Sequence, residues 1–209
     1  MKVAVAYVWP MVQVRKYFPA AKLFSDTYRQ FPAGYPHELH VLCNAREPSK
    51  NESLIFDGLG AAVHVYDNTG WDIGAFQRFG DVTDTDLLVC FGAHVNFHRA
   101  GWLNVIVDAY LDNGPGLYGC AGYLTPNWHV RTTAFWMPPE LLRSYPAYIG
   151  SGRQSRYAFE HGAISFTRHV LGLGFPCRVV TWNGCFPFDS THDYAPDRNS
   201  ILVRDQHIA

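Results

Sequence analysis

Short apolar runs alternate with longer amphipathic runs over the first part of the chain. The run LLVCF at 87–91 is apolar at every position, which is typical of a strand buried on both faces. The alternation predicts an α/β fold in which residues 1–120 form a mostly parallel central sheet flanked by helices. The predicted strands are 3–8, 39–43, 63–66, 87–91 and 116–120, and the predicted helices are 15–31, 51–59, 71–79 and 101–112.

The pattern becomes less regular after residue 120. Turn-forming residues interrupt the apolar runs, and the tail from Pro187 is polar and irregular. We expect a single domain over 1–209, because no repeat or low-complexity tract divides the chain. The predicted elements are an extended segment at 130–137, a short helix opened by Pro138-Pro139, a mobile loop at 145–156, a helix at 160–173 closed by Gly174, and a strand at 177–182.

Composition and charge narrow the class of protein. With 48% hydrophobic and 17% charged residues, the composition is that of a globular domain. The formal net charge of -1 lacks the basic footprint of nucleic-acid binders, so we expect no nucleic-acid partner. Five scattered cysteines without a Cys-x-x-Cys spacing predict reduced thiols and a cytoplasmic location. No apolar run approaches the ~20 residues that span a bilayer.

Polar or glycine-containing stretches follow the predicted strands, and in open parallel sheets ligands bind beyond the carboxyl ends of the strands. The turn at 67–70, DNTG, stands immediately before a helix, where backbone N–H groups favour an anion or a hydroxyl. A simpler interpretation is that Asn68 or Thr69 caps this helix and Asp72 offsets its dipole. The other stretches of this kind are Trp9-Pro10, Asn44-Ala45 and 92–96.

In the order of its elements the chain resembles glycosyltransferases of the GT-A fold. An N-terminal strand precedes the strand LHVLCN, and the buried strand at 87–91 ends where that family carries an Asp-x-Asp motif. The segment NTGWDIGAF at 68–76 is similar to the corresponding segment of rhamnan-synthesis and rhamnosyltransferase-like proteins. The resemblance covers residues 1–185 and implies a GT-A-like fold for nucleotide-diphospho-sugar transfer, with 1–120 binding the nucleotide and 121–209 the acceptor.

The resemblance also implies roles for individual residues. Asn68, Gly70 and Asp72 would lie near the nucleotide, and Ala93 and His94 at the diphosphate. Glu160 occupies the place of the catalytic base in inverting members of the family. From the sequence alone, Glu160 could equally be a first-turn residue that stabilises a helix, and His94 a buried histidine with a structural role.

No Asp-x-Asp stands at 92–94, so the need for a divalent cation such as Mn²⁺ or Mg²⁺ is an open question. His94 is the candidate metal ligand, although imidazole is a poor ligand for Mg²⁺. Without a metal, cationic side chains would stabilise the departing diphosphate. The candidates for contacts to phosphate or acceptor are His129, Arg131, Arg153, Arg156, His161, Arg204 and His207.

Together these features predict a glycosyltransferase that moves a sugar from a nucleotide-diphosphate donor, UDP-sugar in preference, to a hydroxyl of a glycan or glycolipid. The expected location is the cytoplasm, and a glycolipid acceptor would place the protein at the inner face of a membrane. The end at DQHIA hints at further domains of a larger polypeptide. One alternative is a non-catalytic domain that binds carbohydrate or nucleotide. Another is a nucleotidyltransferase, although no glycine-rich loop follows the first strand.

Overall fold

The computed structural model describes residues 1–123, 127–190 and 199–206. These residues form ten strands and seven α-helices. The strands are β1 (Val3–Pro10), β2 (Glu38–Asn44), β3 (Ala62–Tyr66), β4 (Leu87–Phe91), β5 (Leu117–Gly119), β6 (Gly122–Tyr123), β7 (His129–Val130), β8 (Ala134–Met137), β9 (Cys177–Thr181) and β10 (Gly184–Pro187). The helices are α1 (Val14–Gln30), α2 (Lys50–Ser53), α3 (Trp71–Val82), α4 (Trp102–Asn113), α5 (Pro139–Arg143), α6 (Arg153–His161) and α7 (Phe166–Gly172).

Eight of these strands form one sheet in the order β10-β9-β5-β8-β4-β1-β2-β3. Strands β1 to β4 run parallel to one another, whereas β8 is antiparallel to both β4 and β5. The chain order reverses at β1, which lies between β2 and β4. In sheets of this kind the connections leave a crevice beyond the carboxyl ends of the strands at that point. The predicted α/β fold with a mostly parallel sheet is therefore confirmed.

Alternate residues of β1 belong to two separate hydrophobic layers. Val5 and Tyr7 pack in the layer that α1 and α4 cover, and the Tyr7 ring stacks on Phe24 of α1 at 3.8 Å. Ala4 and Ala6 face the layer that α3, α5, α6 and α7 cover. A strand buried on both faces needs apolar residues at every position, which explains why the parallel strands have continuous apolar runs.

The helix predicted at 160–173 is only partly right, because α7 covers 166–172 but the helix that contains Glu160 ends before it. Helix α6 ends at His161, and Gly162 is extended, with φ -67° and ψ 173°. A Cβ atom at Gly162 would lie 2.6 Å from the Ala158 carbonyl oxygen, so a larger residue does not fit there. Ser165 then begins α7 by accepting a hydrogen bond from the backbone N–H of Arg168. Glu160 consequently lies in the last turn of one helix and not in the first turn of another.

The mobile loop predicted at 145–156 is also partly wrong, because its last four residues, 153–156, belong to α6. Within the second predicted helix, at 51–59, only a single α-helical turn forms, followed by a 3-10 turn. The polar tail is more ordered than predicted. Its residues Ile201 and Arg204 form antiparallel bridges with Thr181 and Asn96, which return this part of the chain to the sheet. Within the described ranges no helix has both the length and the apolar character to cross a membrane.

Candidate functional site

A cavity of about 440 Å³, here called the main cavity, lies beyond the carboxyl ends of β1, β2 and β4. It occupies the crevice that the reversal of strand order creates. Residues distant in sequence meet there because parallel strands end at one edge of the sheet. Its lining residues are Pro10, Val12, Gln13, Lys16, Tyr17, Asn44, Asn68, Trp71, Asp72, Gly92, Ala93, His94, Thr133, Arg156, Asp205 and Gln206.

The turn before α3 has an unusual backbone. Gly70 has a φ of 75°, and Trp71, which starts the helix, has a φ of 54°. A bulky residue in the left-handed region costs free energy and occurs most often at functional sites. The amide of Asn44, at the end of β2, donates a hydrogen bond of 2.8 Å to the Trp71 carbonyl oxygen. The strained turn is thereby joined to the neighbouring strand.

The predicted helix cap at this turn is wrong. Neither Asn68 nor Thr69 caps α3, because Gly70 occupies the N-cap position and no side chain caps the helix. Instead the carboxylate of Asp67 accepts a hydrogen bond of 3.0 Å from the backbone N–H of Thr69. Asn68 lines the main cavity.

Asp72 and Arg156 form part of the wall of the main cavity. The Nε atom of Arg156 lies 4.0 Å from Oδ1 of Asp72, and its guanidinium lies over the Trp71 ring at 5.5 Å. Burial raises the pKa of Asp72, and nearby Glu160 adds to the rise, whereas Arg156 opposes it. The side chain of Asp72 is 24% exposed, so it reaches the cavity while most of its surface is covered.

Glu160 does not line the main cavity but a smaller one of about 240 Å³ beside it, here called the side cavity. Its Oε1 atom accepts a hydrogen bond from the Thr132 hydroxyl. Its Oε2 atom lies 3.9 Å from both Arg156 Nε and His161 Nε2, longer than a hydrogen bond. The side cavity is lined by Trp71, Arg153, Arg156, Tyr157, Glu160 and His161, so the two cavities share Trp71 and Arg156.

Ala93 and His94 line the main cavity directly after β4. The carbonyl oxygen of Ala93 accepts a 2.8 Å hydrogen bond from the buried Tyr7 hydroxyl, which holds this segment against the sheet. The His94 ring lies 5.4 Å from the ring of Tyr17 on α1. The structure thus places both residues at the predicted edge of the sheet.

The other predicted cationic candidates are scattered. His129 is buried against the His161 ring at 4.3 Å, and burial lowers its pKa. Arg131 lies over the Tyr123 ring at 5.2 Å and lines neither cavity. His207 lies outside the described residues. Of the predicted group, therefore, Arg156 joins the wall of both cavities, whereas Arg153 and His161 join that of the side cavity.

The donor atoms of the main cavity do not make a complete metal site by themselves. Over 1–123, 127–190 and 199–206, no three His, Cys, Asp or Glu side chains converge as a metal-binding group. His94 shares the cavity with Asp205, but a resident ion in a site built from protein alone takes more ligands than this pair supplies. We therefore assign no step to a metal held by these residues.

Sequence reasoning missed several residues of the main cavity. Lys16, on the first turn of α1, contributes an ammonium group. Its position just after β1 is the signal that could have identified it, because the helix after the first strand starts at the ligand edge. Asp205 and Gln206 arrive through the bridge between Asn96 and Arg204, and no local pattern predicts that return.

No family model matches the chain, and no curated protein is similar to it in sequence. Solved structures do match its fold. A mannosyltransferase from Pyrobaculum calidifontis, in complex with GDP-Man and Mn²⁺, has a TM-score of 0.52 at 14% identity, covering 69% of this chain. HddC from Yersinia pseudotuberculosis has a TM-score of 0.52 at 9% identity, over 71% of this chain and 82% of its own. Mouse xyloside xylosyltransferase 1 has a TM-score of 0.50 at 7% identity, over 71% of each chain.

The chain spans 46% of the mannosyltransferase, less than half of its length. At these identities the likeness establishes the architecture, which is the GT-A fold of nucleotide-diphospho-sugar transferases. The predicted GT-A fold is thus confirmed. The finer similarity to rhamnosyltransferase-like proteins stays a prediction.

The turn before α3 gives a first testable prediction. A Cβ atom at Gly70 would lie 2.5 Å from the Ile149 carbonyl oxygen, in addition to the cost of a positive φ. Gly58 has nearly the same φ, +74°, with nothing within 4 Å. We expect Gly58→Ala to cost about 1–2 kcal/mol in the free energy of unfolding and Gly70→Ala clearly more. Urea denaturation measures both, and equal losses would show that the contact with Ile149 is unimportant.

The raised pKa of Asp72 gives a second prediction. Between the unfolded value of 3.8 and the higher folded value, the folded state binds more protons than the unfolded state. The free energy of unfolding therefore falls as the pH rises through this window. Replacing Asp72 with asparagine removes the effect, so the stability of Asp72→Asn relative to wild type should increase with pH from 3.8 upward.

Thermal denaturation across a pH series measures the difference between Asp72→Asn and wild type. Asp108→Asn, which replaces an exposed carboxylate on α4, is the matched control for the loss of one negative charge. A difference between Asp72→Asn and wild type that does not change with pH would contradict the prediction.

Proposed function

We propose that the chain is an inverting glycosyltransferase that moves a sugar from a nucleotide-diphosphate donor, UDP-sugar in preference, to a hydroxyl of a glycan or glycolipid. The observation that carries the proposal is the pair of adjoining cavities at the ligand edge of a GT-A sheet. They share Trp71 and Arg156, and among the described residues Glu160 is the one carboxylate that lines the smaller cavity. Two substrates can thus meet at one wall.

The donor would occupy the main cavity. Asn44 is buried there, and its Oδ1 atom accepts no hydrogen bond from any described residue. A buried acceptor without a partner is costly, and a ligand N–H would satisfy it. The ring N–H of uracil is such a donor, although thymine and guanine carry one as well. Asn68, Gly70 and Asp72 would shape the same end of the pocket, as the resemblance implies.

The diphosphate would lie between Lys16 and Arg156, with Ala93 and His94 beneath it. Positive groups placed where negative charge develops stabilise the departing diphosphate. The arrangement supplies two permanent cations without a resident metal, although a divalent ion carried by the donor phosphates could still bind beside His94 and Asp205. Most residues of the main cavity precede position 120, whereas all but Trp71 in the side cavity follow it. This division supports a nucleotide-binding half over 1–120 and an acceptor-binding half over 121–209.

The acceptor would occupy the side cavity with its hydroxyl at Glu160. The Glu160 carboxylate would take the hydroxyl proton while the acceptor oxygen attacks the anomeric carbon and the bond to the diphosphate breaks. The Thr132 hydroxyl fixes Oε1, which leaves Oε2 as the atom that faces the cavity residues Arg156 and His161. Attack from the side opposite the leaving group inverts the anomeric centre.

A nucleotidyltransferase fits the structure less well. After β1 the chain enters a 3-10 turn at Met11–Gln13, which contains no glycine and no loop of backbone N–H groups around a phosphate. A non-catalytic binding domain remains the relevant alternative, and the variants below separate it from an enzyme.

Thermal denaturation with UDP, GDP, dTDP or CMP, each with Mn²⁺, Mg²⁺ or EDTA, tests the donor site. A nucleotide at 100 times its dissociation constant should add roughly 2.7 kcal/mol, or about 5–10 °C in the melting temperature. We expect UDP to give the largest shift and the shift to persist in EDTA, because Lys16 and Arg156 supply the positive charge. A shift that needs metal would instead assign the phosphates to a cation, and no shift with any nucleotide would refute the donor site.

Glu160→Gln tests the base. The amide keeps the shape of the side chain but cannot accept the proton, so we expect kcat to fall by about 10²–10⁴-fold while nucleotide affinity is unchanged. The control is Glu140→Gln, which alters an exposed carboxylate on α5 that pairs with Arg143. Unchanged turnover in Glu160→Gln would rule out this residue as the base. No turnover in wild type with any donor that binds would favour the binding domain.

A further inference from the structure

The side cavity contains an arginine that the proposed chemistry does not use. Arg156 faces both carboxylates of the shared wall, Asp72 and Glu160, at 4.0 and 3.9 Å. Arg153 lines the same cavity but forms no hydrogen bond or ion pair with any residue in the described ranges. Arg153 is exposed, and its guanidinium has no counter-ion among the described residues, although it lines the same cavity as the carboxylate that would activate the acceptor.

Helix stability does not account for this arginine. The first turn of α6 carries Arg153 and Arg156 and no acidic residue. Cations near the start of a helix are disfavoured by its dipole. The residue of α6 that is fully buried among the described side chains is Phe159, which packs in the hydrophobic core. Arg153 thus adds an unfavourable charge to the helix without a compensating contact.

The lining of the side cavity has the chemistry of a sugar subsite. Tyr157 is 53% exposed, and Trp71 lines both this cavity and the main cavity. Aromatic faces beside polar groups suit the apolar and hydroxyl surfaces of a sugar ring. Arg153 and Glu160 are seven residues apart on one face of α6, so their Cα atoms are separated by about 10 Å along the helix.

We propose that the acceptor is an anionic sugar, whose carboxylate or phosphate binds Arg153 while its reacting hydroxyl lies at Glu160. The inference rests on the proposed function, because it names the class of acceptor for the same site. An arginine suits either anion, since its planar donors match carboxylate and phosphate oxygens. Because the Cα atoms of Arg153 and Glu160 are about 10 Å apart along α6, the acidic group of the acceptor would lie at a similar distance from the hydroxyl that receives the sugar.

Ligand-observed NMR titrations with the full chain test this inference. The probes are the methyl glycosides of glucuronic and galacturonic acid, the matching methyl glucoside and galactoside, glucose 6-phosphate, and inorganic phosphate alone. We expect wild type to bind at least one anionic sugar about tenfold more tightly than its neutral counterpart, as one charge-assisted hydrogen bond allows. A preference for uronates or for the sugar phosphate identifies the anion.

Three variants locate the effect. Arg153→Gln should abolish the preference, Arg153→Lys should retain most of it, and Lys50→Gln, which removes a charge from exposed α2, should retain all of it. Equal or absent binding of anionic and neutral sugars in wild type, or an unchanged preference in Arg153→Gln, would overturn the inference. Inorganic phosphate binding as tightly as glucose 6-phosphate would also overturn it, because the site would then hold a simple anion.

The nucleotide titrations separate this inference from the proposed function. If UDP stabilises the protein and no preference for anionic sugars exists, only the acceptor class is wrong. If the preference exists and depends on Arg153 but no nucleotide binds, the anionic-sugar site stands and the transferase is wrong. Arg153 lies outside the main cavity, so UDP should stabilise Arg153→Gln as well as wild type.

Discussion

The parallel pairing of β1 with β2 and β4 is the constraint on which the cleft depends. β1 is buried on both faces, and its two neighbours run in the same direction, so three strands end together at one edge. Tyr7 of β1 also donates its hydroxyl to the Ala93 carbonyl oxygen, which ties the segment after β4 to the central strand. The position of His94 follows from that contact.

A single polar wall then divides the cleft into two cavities. Trp71 and Arg156 form it, and Asp72 and Glu160 face the Arg156 guanidinium from the two sides. One guanidinium thus lies near two carboxylates. A change in the charge of Asp72 or of Glu160 therefore alters the electrostatic attraction that Arg156 experiences. In the proposed reaction this wall would bring the donor phosphate and the acceptor hydroxyl to the same guanidinium, which provides a physical link between the occupancy of the two cavities.

Much of the fold could be predicted because the central parallel strands need apolar residues on both faces. That requirement allowed the strand at 87–91 to be predicted from its continuous apolar run. The polar turns after the strands indicated the edge where ligands bind. The break at Gly162 was missed because the amphipathic pattern continues through it, whereas the close approach to the Ala158 carbonyl oxygen requires a glycine. Glu160 was therefore selected as a candidate, but its place in the last turn of α6 was not predicted.

The amino-acid sequence by itself determined the order of strands and helices over the first 120 residues, the edge of the sheet where ligands would bind, and several residues of the cleft. These features follow from local periodicity and from the position of turns. The tertiary structure decided which charged groups meet. Lys16 lies beside His94, and Asp205 returns to the same cavity, through pairings between segments distant in the chain. Arg156 lies 4.0 Å from Asp72 because the fold places α6 near the start of α3, far from it in the chain. No local pattern encodes these distances, because they depend on how separate elements pack against a common sheet.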